Sequence, residues 1–263
     1  MTQPRYLAER LTPDFGFYLR EGELLARVQS QWQYIEVFDN ALFGRVMRID
    51  GCFMTSERDE FFYHEPMVHL PAIAHPGPRS ALVVGGGDGG AVEELLKHPS
   101  MERVVLAELD AEVIAMARAW LDGIHHGALD DPRVEIRLGD ARALIGTCGE
   151  RFDQIVLDLT DPFGPALDLY TVEFYQACRE VLAPGGVLRF AEHVRSPDPT
   201  RAERQDRLAA MWCRCAGGCR PNRDTLRTIE QGGFTVQHLT RSSMRGAPQI
   251  VRPLIIGAAQ SCA

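Results

Sequence analysis

Up to about residue 55, apolar and polar positions alternate over short runs, at 15–19, 24–28, 32–38 and 46–49. Turn material separates them: Glu21-Gly22, Asp39-Asn40 and Asp50-Gly51. A period of two punctuated in this way predicts β-hairpins. The period then changes. Residues 58–74 have a helical pattern but carry Pro66 and Pro71. A proline inside a helix removes a hydrogen bond and clashes with the turn before it, which predicts a kinked helix or one that begins late.

From Ser80 onward short apolar runs alternate with helical patterns: strands at 81–84, 104–109, 134–138, 154–157 and 187–191, and helices at 91–97, 111–121, after Asp140, and at 171–182. Such alternation predicts an α/β fold, a Rossmann-like, doubly wound, mostly parallel sheet behind a small N-terminal β-domain. The domains are then a hairpin domain at 1–57 and a nucleoside-binding domain at 58–263. Past the last of these strands, 195–207 reads as a solvated helix face. Asn222 is placed to cap a helix over 223–231, Gly232-Gly233 to stop it, and 234–239 and 254–257 to supply the last strands.

The run 81–84 enters Gly85-Gly86-Gly87-Asp88-Gly89-Gly90, where Gly85, Gly87 and Gly90 have the G-x-G-x-x-G spacing. Glycines let the backbone approach a ligand closely, and a helix N-terminus faces the same point. Glu108 closes the next apolar run about 20 residues on, where a carboxylate can bind the two hydroxyls of a ribose. Asp88, Glu108, Asp140 and Asp158 all fall at the carboxyl ends of predicted strands, where ligands of such sheets sit. Asp140, before Ala141, has two competing uses, as a helix N-cap and as an acceptor for an adenine amino group. Asp158 and Asp161, three apart, lead into a Pro/Gly loop that could be a capped turn.

The formal net charge of −8 over 263 residues disfavours a nucleic-acid surface and suits a cationic small substrate. No segment has the apolar length to cross a bilayer, and the first residues lack the layout of a secretory signal, so the expected setting is the cytoplasm without a membrane partner. Seven cysteines in such a chain predict reduced thiols. Cys213, Cys215 and Cys219 lack a matching second pair, so no metal site is expected there. His193, at a strand end, is a candidate base, whereas His125-His126 read as part of a polar loop.

The run from Asp158 to Tyr170, with Gly85 to Gly90 and Glu57-Arg58-Asp59-Glu60 before Tyr63-His64-Glu65, resembles the polyamine aminopropyltransferases, the spermidine synthase family; Ser30-Gln31-Trp32-Gln33 is similar to that family's N-terminal ligand-contacting stretch. The resemblance covers roughly residues 12–190. It implies transfer of an aminopropyl group from decarboxylated S-adenosylmethionine, a co-substrate rather than a tightly bound cofactor, to a small diamine such as putrescine. On the donor side it implies Gly85, Gly87, Glu108 at the ribose, Asp140 and Ala141 at the adenine, and Gln33 and Asp88 along the aminopropyl arm. Asp158 would take the amine's proton with Tyr63 as hydrogen-bonding partner, and His64, Glu65, Asp161 and Tyr170 would bind the acceptor. A homodimer formed through the N-terminal domain is implied as well. Beyond about Phe190 the chain departs from the pattern: the aromatic stretch that shapes the polyamine pocket has no counterpart. Glu192 to Ser196, Asn222 to Leu226 and Val251 to Pro253 instead look like the C-terminal third of class I S-adenosylmethionine-dependent methyltransferases. Methyl transfer from S-adenosylmethionine to a small molecule is therefore the alternative activity, and a non-catalytic nucleoside-binding protein the third reading.

Overall fold

The computed structural model describes residues 5–10, 16–147, 149–160, 164–184, 186–215, 220–243 and 249–261. The chain divides into two compact units, Met1–Cys148 with Asp153–Thr160, and Gly149–Phe152 with Asp161–Ala263.

In the first unit, β1 (Tyr6–Arg10) and β2 (Gly16–Arg20) pair as a hairpin. β3 (Glu23–Gln29), β4 (Tyr34–Asn40), β5 (Gly44–Ile49) and β6 (Cys52–Ser56) follow as an antiparallel meander. The alternating runs predict β2 to β5; β1 and β6 lie outside them. α1 (Phe61–Ala74) starts three residues later than its pattern and continues through both Pro66 and Pro71. His64, Val68 and Ala72, one helical stripe, are its buried positions.

A parallel sheet follows, in the order β10-β7-β8-β9, from β7 (Ser80–Gly85), β8 (Arg103–Glu108), β9 (Val134–Leu138) and β10 (Gln154–Asp158). Its connections are α2 (Gly90–Leu96), α3 (Ala111–Trp120), α4 (Asp122–His125) and α5 (Ala141–Thr147). The central strands β7 and β8 are buried along their apolar runs, Ala81 to Val84 and Val104 to Ala107, as a sheet covered on both faces requires. Register aligns the strand ends: Asp158 sits opposite Gly85, and Glu108 opposite Leu138. That alignment brings the carboxylates to one rim.

The second unit holds a 3-10 helix (Gly164–Tyr170), α6 (Val172–Glu180), β11 (Val187–His193), α7 (Pro199–Cys215), α8 (Thr225–Gln231), β12 (Phe234–Ser243) and β13 (Pro253–Ser261). Its three strands pair antiparallel in the order β11-β13-β12. Gln205 on α7, 1% exposed, ties the unit together: its amide nitrogen, with two N–H groups, lies within 3.1 Å of the carbonyls of Val194, Pro221 and Ile250, and its oxygen accepts from the Ser196 N–H. The helix expected from Asn222 begins later. Asp224 caps α8, accepting from Arg227 N at 3.2 Å, and Asn222 instead donates to Asp206. The stop holds, with Gly233 at φ +85°. Among the described residues no helix is long and apolar enough to cross a membrane.

Candidate active site

β7 delivers the chain into the turn with Gly85 at φ +74° and Gly86 at φ +69°, the left-handed region that glycine enters without a Cβ penalty. Space is as tight as the dihedrals. A Cβ on Gly86 would lie 2.6 Å from Asp158 Oδ2, and one on Gly90 would run into the imidazole of His64. The turn is glycine-rich because side chains from three other elements pack onto it. Gly90→Ala is accordingly expected to displace His64, costing about 1–3 kcal/mol of stability together with most of the activity; thermal melts and steady-state rates check both, and a wild-type melting temperature would refute it.

His64 is 3% exposed and stands among three carboxylates. Its Nδ1 lies 2.6 Å from Glu60 Oε2, and its Nε2 lies 3.6 Å from Asp158 Oδ2 and 3.8 Å from Asp88 Oδ2. Burial alone would keep the ring neutral, but Asp158, Asp88 and Glu60 outweigh it and raise its pKa from 6.5 to about 10. The stability gained from this charge is complete below about pH 6.5 and is lost as pH rises through about 10. Asp88 is shifted upward, first by burial and then by Asp158, against the pull of His64, of the Gly90 N–H at 3.1 Å and of the Thr55 hydroxyl on β6. Asp158 Oδ2 is buried with no hydrogen-bond partner. His64, Asp88 and Asp158 bring one atom each within 4.8 Å, the one such group among the described residues.

At the other end of the turn, Glu108 is 7% exposed and accepts the Asp110 N–H at 2.9 Å. Burial raises its pKa from 4.5 to about 7, with Asp110 adding to the rise and the backbone N–H groups of Asp110, Leu109 and Gly87 opposing it. Asp110 caps α3 through Glu112 N at 3.0 Å and accepts from Ser30 Oγ at 2.6 Å. The same Ser30 oxygen accepts the N–H groups of Trp32 and Gln33, both at 3.0 Å. The loop holding Gln33 is thus fastened beside Glu108 through one hydroxyl.

Asp140 takes the capping role. Its Oδ1 accepts Arg142 N at 2.9 Å, and the Arg142 guanidinium reaches its Oδ2 at 2.8 Å, which lowers its pKa. Ala141 is buried beside it. Tyr63 is 51% exposed, edge-on to the His64 ring at 5.4 Å between centroids. Glu65, one position further along α1, is exposed. Tyr170 ends the 3-10 helix of the second unit, where the Arg223 guanidinium lies over its ring at 5.7 Å. Asp161 and Cys219 lie outside the described residues, as do the side chains of Cys213 and Cys215. His193 ends β11 opposite Leu254. His125 does not belong to a polar loop: it is buried in α4, its Nε2 3.2 Å from the Ala117 carbonyl while its Nδ1 accepts the Gly127 N–H.

Three contributors escape a reading of the sequence: Glu60, Thr55 and Asp110. Glu60 had a signal, the i,i+4 spacing to His64. Thr55 lies on β6, which has no alternation to reveal which way its side chains point.

Residues 60–233 match the spermine/spermidine synthase domain, and residues 6–57 the spermidine synthase tetramerisation domain. The first match runs past Phe190. A polyamine aminopropyltransferase of Nitrosomonas europaea is 66% identical over 192 residues, 73% of this chain and 58% of the relative, so the match takes in less than two thirds of that protein. Polyamine aminopropyltransferase 1 of Pseudomonas aeruginosa is 41% identical over 212 residues, 78% of this chain and 73% of the relative. A spermidine synthase solved in complex with the transition state analogue AdoDATO is 32% identical, with a TM-score of 0.75, over 99% of this chain and 82% of its own. The Thermotoga maritima spermidine synthase aligns at 31% identity and a TM-score of 0.72, over 99% of this chain and 81% of its own. A chain that carries both matched domains, in order and with this rim of acids, belongs to the spermine/spermidine synthase family.

Proposed function

We propose that the protein transfers the aminopropyl group of decarboxylated S-adenosylmethionine to a small diamine such as putrescine. One observation carries this: two largely enclosed carboxylates, Asp88 and Asp158, with side chains 13% and 10% exposed, face a common point at the end of a nucleotide-type glycine turn, with buried Glu108 at its other side. The amine nitrogen attacks the aminopropyl carbon bonded to sulfur. A C–N bond forms, the C–S bond breaks, and its electron pair neutralises the sulfonium, releasing methylthioadenosine. The reaction needs alignment and an amine without its extra proton. An alkylammonium titrates near pH 10, so at pH 7 only about one in a thousand is neutral. Asp158 takes that proton and passes it to water, with Tyr63 as its hydrogen-bonding partner. His64 is already protonated at neutral pH and serves as a charged neighbour, not as the base.

Glu108 holds the ribose hydroxyls, and Gly85, Gly87 and Gln33 line the donor. Ala141 and Asp140 face the adenine once Arg142 swings away from the Asp140 carboxylate. His64, Glu65, Asp161 and Tyr170 serve the acceptor. Asp88 selects the donor: it attracts the terminal ammonium of the decarboxylated compound and repels the α-carboxylate of ordinary S-adenosylmethionine. The match of residues 6–57 to a tetramerisation domain supports self-association, as do exposed Tyr6, Phe17, Tyr18 and Leu42 within it. The assembly is then a homodimer or a pair of dimers working in the cytoplasm, with its hairpin domain at 1–57 and its catalytic domain at 58–263.

Incubation with putrescine and each donor in turn tests the activity. Methylthioadenosine and spermidine are expected from the decarboxylated donor alone. S-Adenosylhomocysteine from the ordinary donor would point to methyl transfer, neither product to a non-catalytic protein, and equal use of both donors would remove Asp88 as the discriminator.

A further inference from the structure

Glu60 occupies the N-cap position of α1, where an acidic side chain ordinarily accepts an N–H from the first turn. It makes no such bond. The turn before it is held by Ser56 and Asp59, which hydrogen-bond through their side chains, and the Tyr63 and His64 N–H groups go to the Glu60 backbone carbonyl. The Glu60 carboxylate is left for His64 Nδ1, one helical turn along. With Nδ1 held at 2.6 Å by Glu60, Nε2 stands 3.6 and 3.8 Å from the two acids of the rim, at ion-pair distance. Those distances lie beyond a hydrogen bond. They leave Asp158 Oδ2 buried, in an ion pair with the ring but without a hydrogen bond.

We propose that Glu60 is a positioning residue for the acceptor amine: by holding His64 through Nδ1 it keeps the imidazole out of hydrogen-bond range of Asp158, so that Asp158 Oδ2 stays open for the incoming ammonium. The proposal rests on the aminopropyl-transfer reading for the identity of its guest. The ionisable groups that face the ring are Glu60 and Tyr63 from α1, Asp88 from the turn after β7 and Asp158 from the end of β10. Glu60→Gln weakens the grip on Nδ1 and removes one of the three negative charges around the ring. The freed imidazole then competes with the substrate for Asp158.

Glu60→Gln and Glu60→Asp are compared with the wild type by two readouts. The first is the ring ¹⁵N spectrum of His64 in the free protein from pH 6 to 10, which needs no substrate. Both ring N–H groups are expected to persist into the alkaline range in the wild type and to be lost at lower pH in Glu60→Gln. The second is the KM for putrescine, expected to rise about tenfold in Glu60→Gln, as for a lost charged hydrogen bond, with the donor KM unchanged and Glu60→Asp between the two. An unchanged His64 spectrum in Glu60→Gln would overturn the proposal, as would equal losses for donor and acceptor that track a fall in melting temperature. If the wild type transfers no aminopropyl group, the functional reading fails by itself and the spectrum alone still decides the role of Glu60.

Discussion

Asp158→Asn is expected to lower kcat by about two to four orders of magnitude, the range for losing a general base, while donor affinity changes little. The substitution keeps the size of the side chain, which matters because a Cβ on Gly86 would already be only 2.6 Å from Oδ2 and the site has no slack. What goes is the negative charge and the proton acceptor. The same change sets an amide where a carboxylate faces His64 Nε2, withdrawing one of the charges that hold the ring protonated. Two consequences separate this from a folding defect. The kcat loss should persist at saturating diamine, and the alkaline loss of stability linked to His64 should move to lower pH. Quench measurements of methylthioadenosine with a pre-bound donor give the first, and melting temperature against pH the second. A variant that turns over at the wild-type rate would end the assignment of Asp158 as base.

The parts of this site that the sequence displays are those written in local patterns. β7 is an apolar run buried on both faces, and the alternation from Ser80 to Asp158 forms parallel strands with crossovers that bring Asp88, Glu108 and Asp158 to one rim. The run at 187–191, expected in the same parallel sheet, pairs antiparallel with β13 instead. What the sequence conceals depends on register or on tertiary pairing. Pro66 and Pro71 blurred where α1 begins, and without that start the pairing of Glu60 with His64 has no geometric meaning. Pro66 frees the carbonyl of Phe62, a residue 74% exposed. Asp224 displaced Asn222 as a cap because Asn222 is held by Asp206, eleven residues beyond Arg195, to which the same carboxylate is paired. Ser30 and Asp110 lie 80 positions apart, and only the folded chain shows that they form one bond.

Glu108→Gln should separate stability from function in opposite directions. Burial holds the Glu108 carboxyl up to about 7 against an ordinary 4.5, so the folded protein binds a proton there that the unfolded chain has already lost. Stability must therefore fall as pH rises from 4.5 through 7, and at pH 8 the ionised group costs up to about 3 kcal/mol at 1.36 kcal/mol per pKa unit. Glutamine carries no such cost and retains an oxygen to accept the Asp110 N–H. The empty variant should melt higher than the wild type at pH 8 and approach it well below pH 4.5, where Glu108 is protonated in both folded and unfolded chains. Donor binding moves the other way. A carboxylate accepting two ribose hydroxyls makes charge-assisted bonds, and their loss should weaken the donor by about a hundredfold or more. In the wild type, donor affinity should also decline as pH drops below about 7, because the proton taken up by Glu108 removes the charge that the ribose requires. Calorimetric titration with methylthioadenosine between pH 5.5 and 8.5, alongside melts of the unliganded proteins, measures both halves. Undiminished nucleoside binding in Glu108→Gln would take the ribose away from Glu108, and a lower melting point at pH 8 would show that the buried carboxylate is not the strained group its surroundings make it.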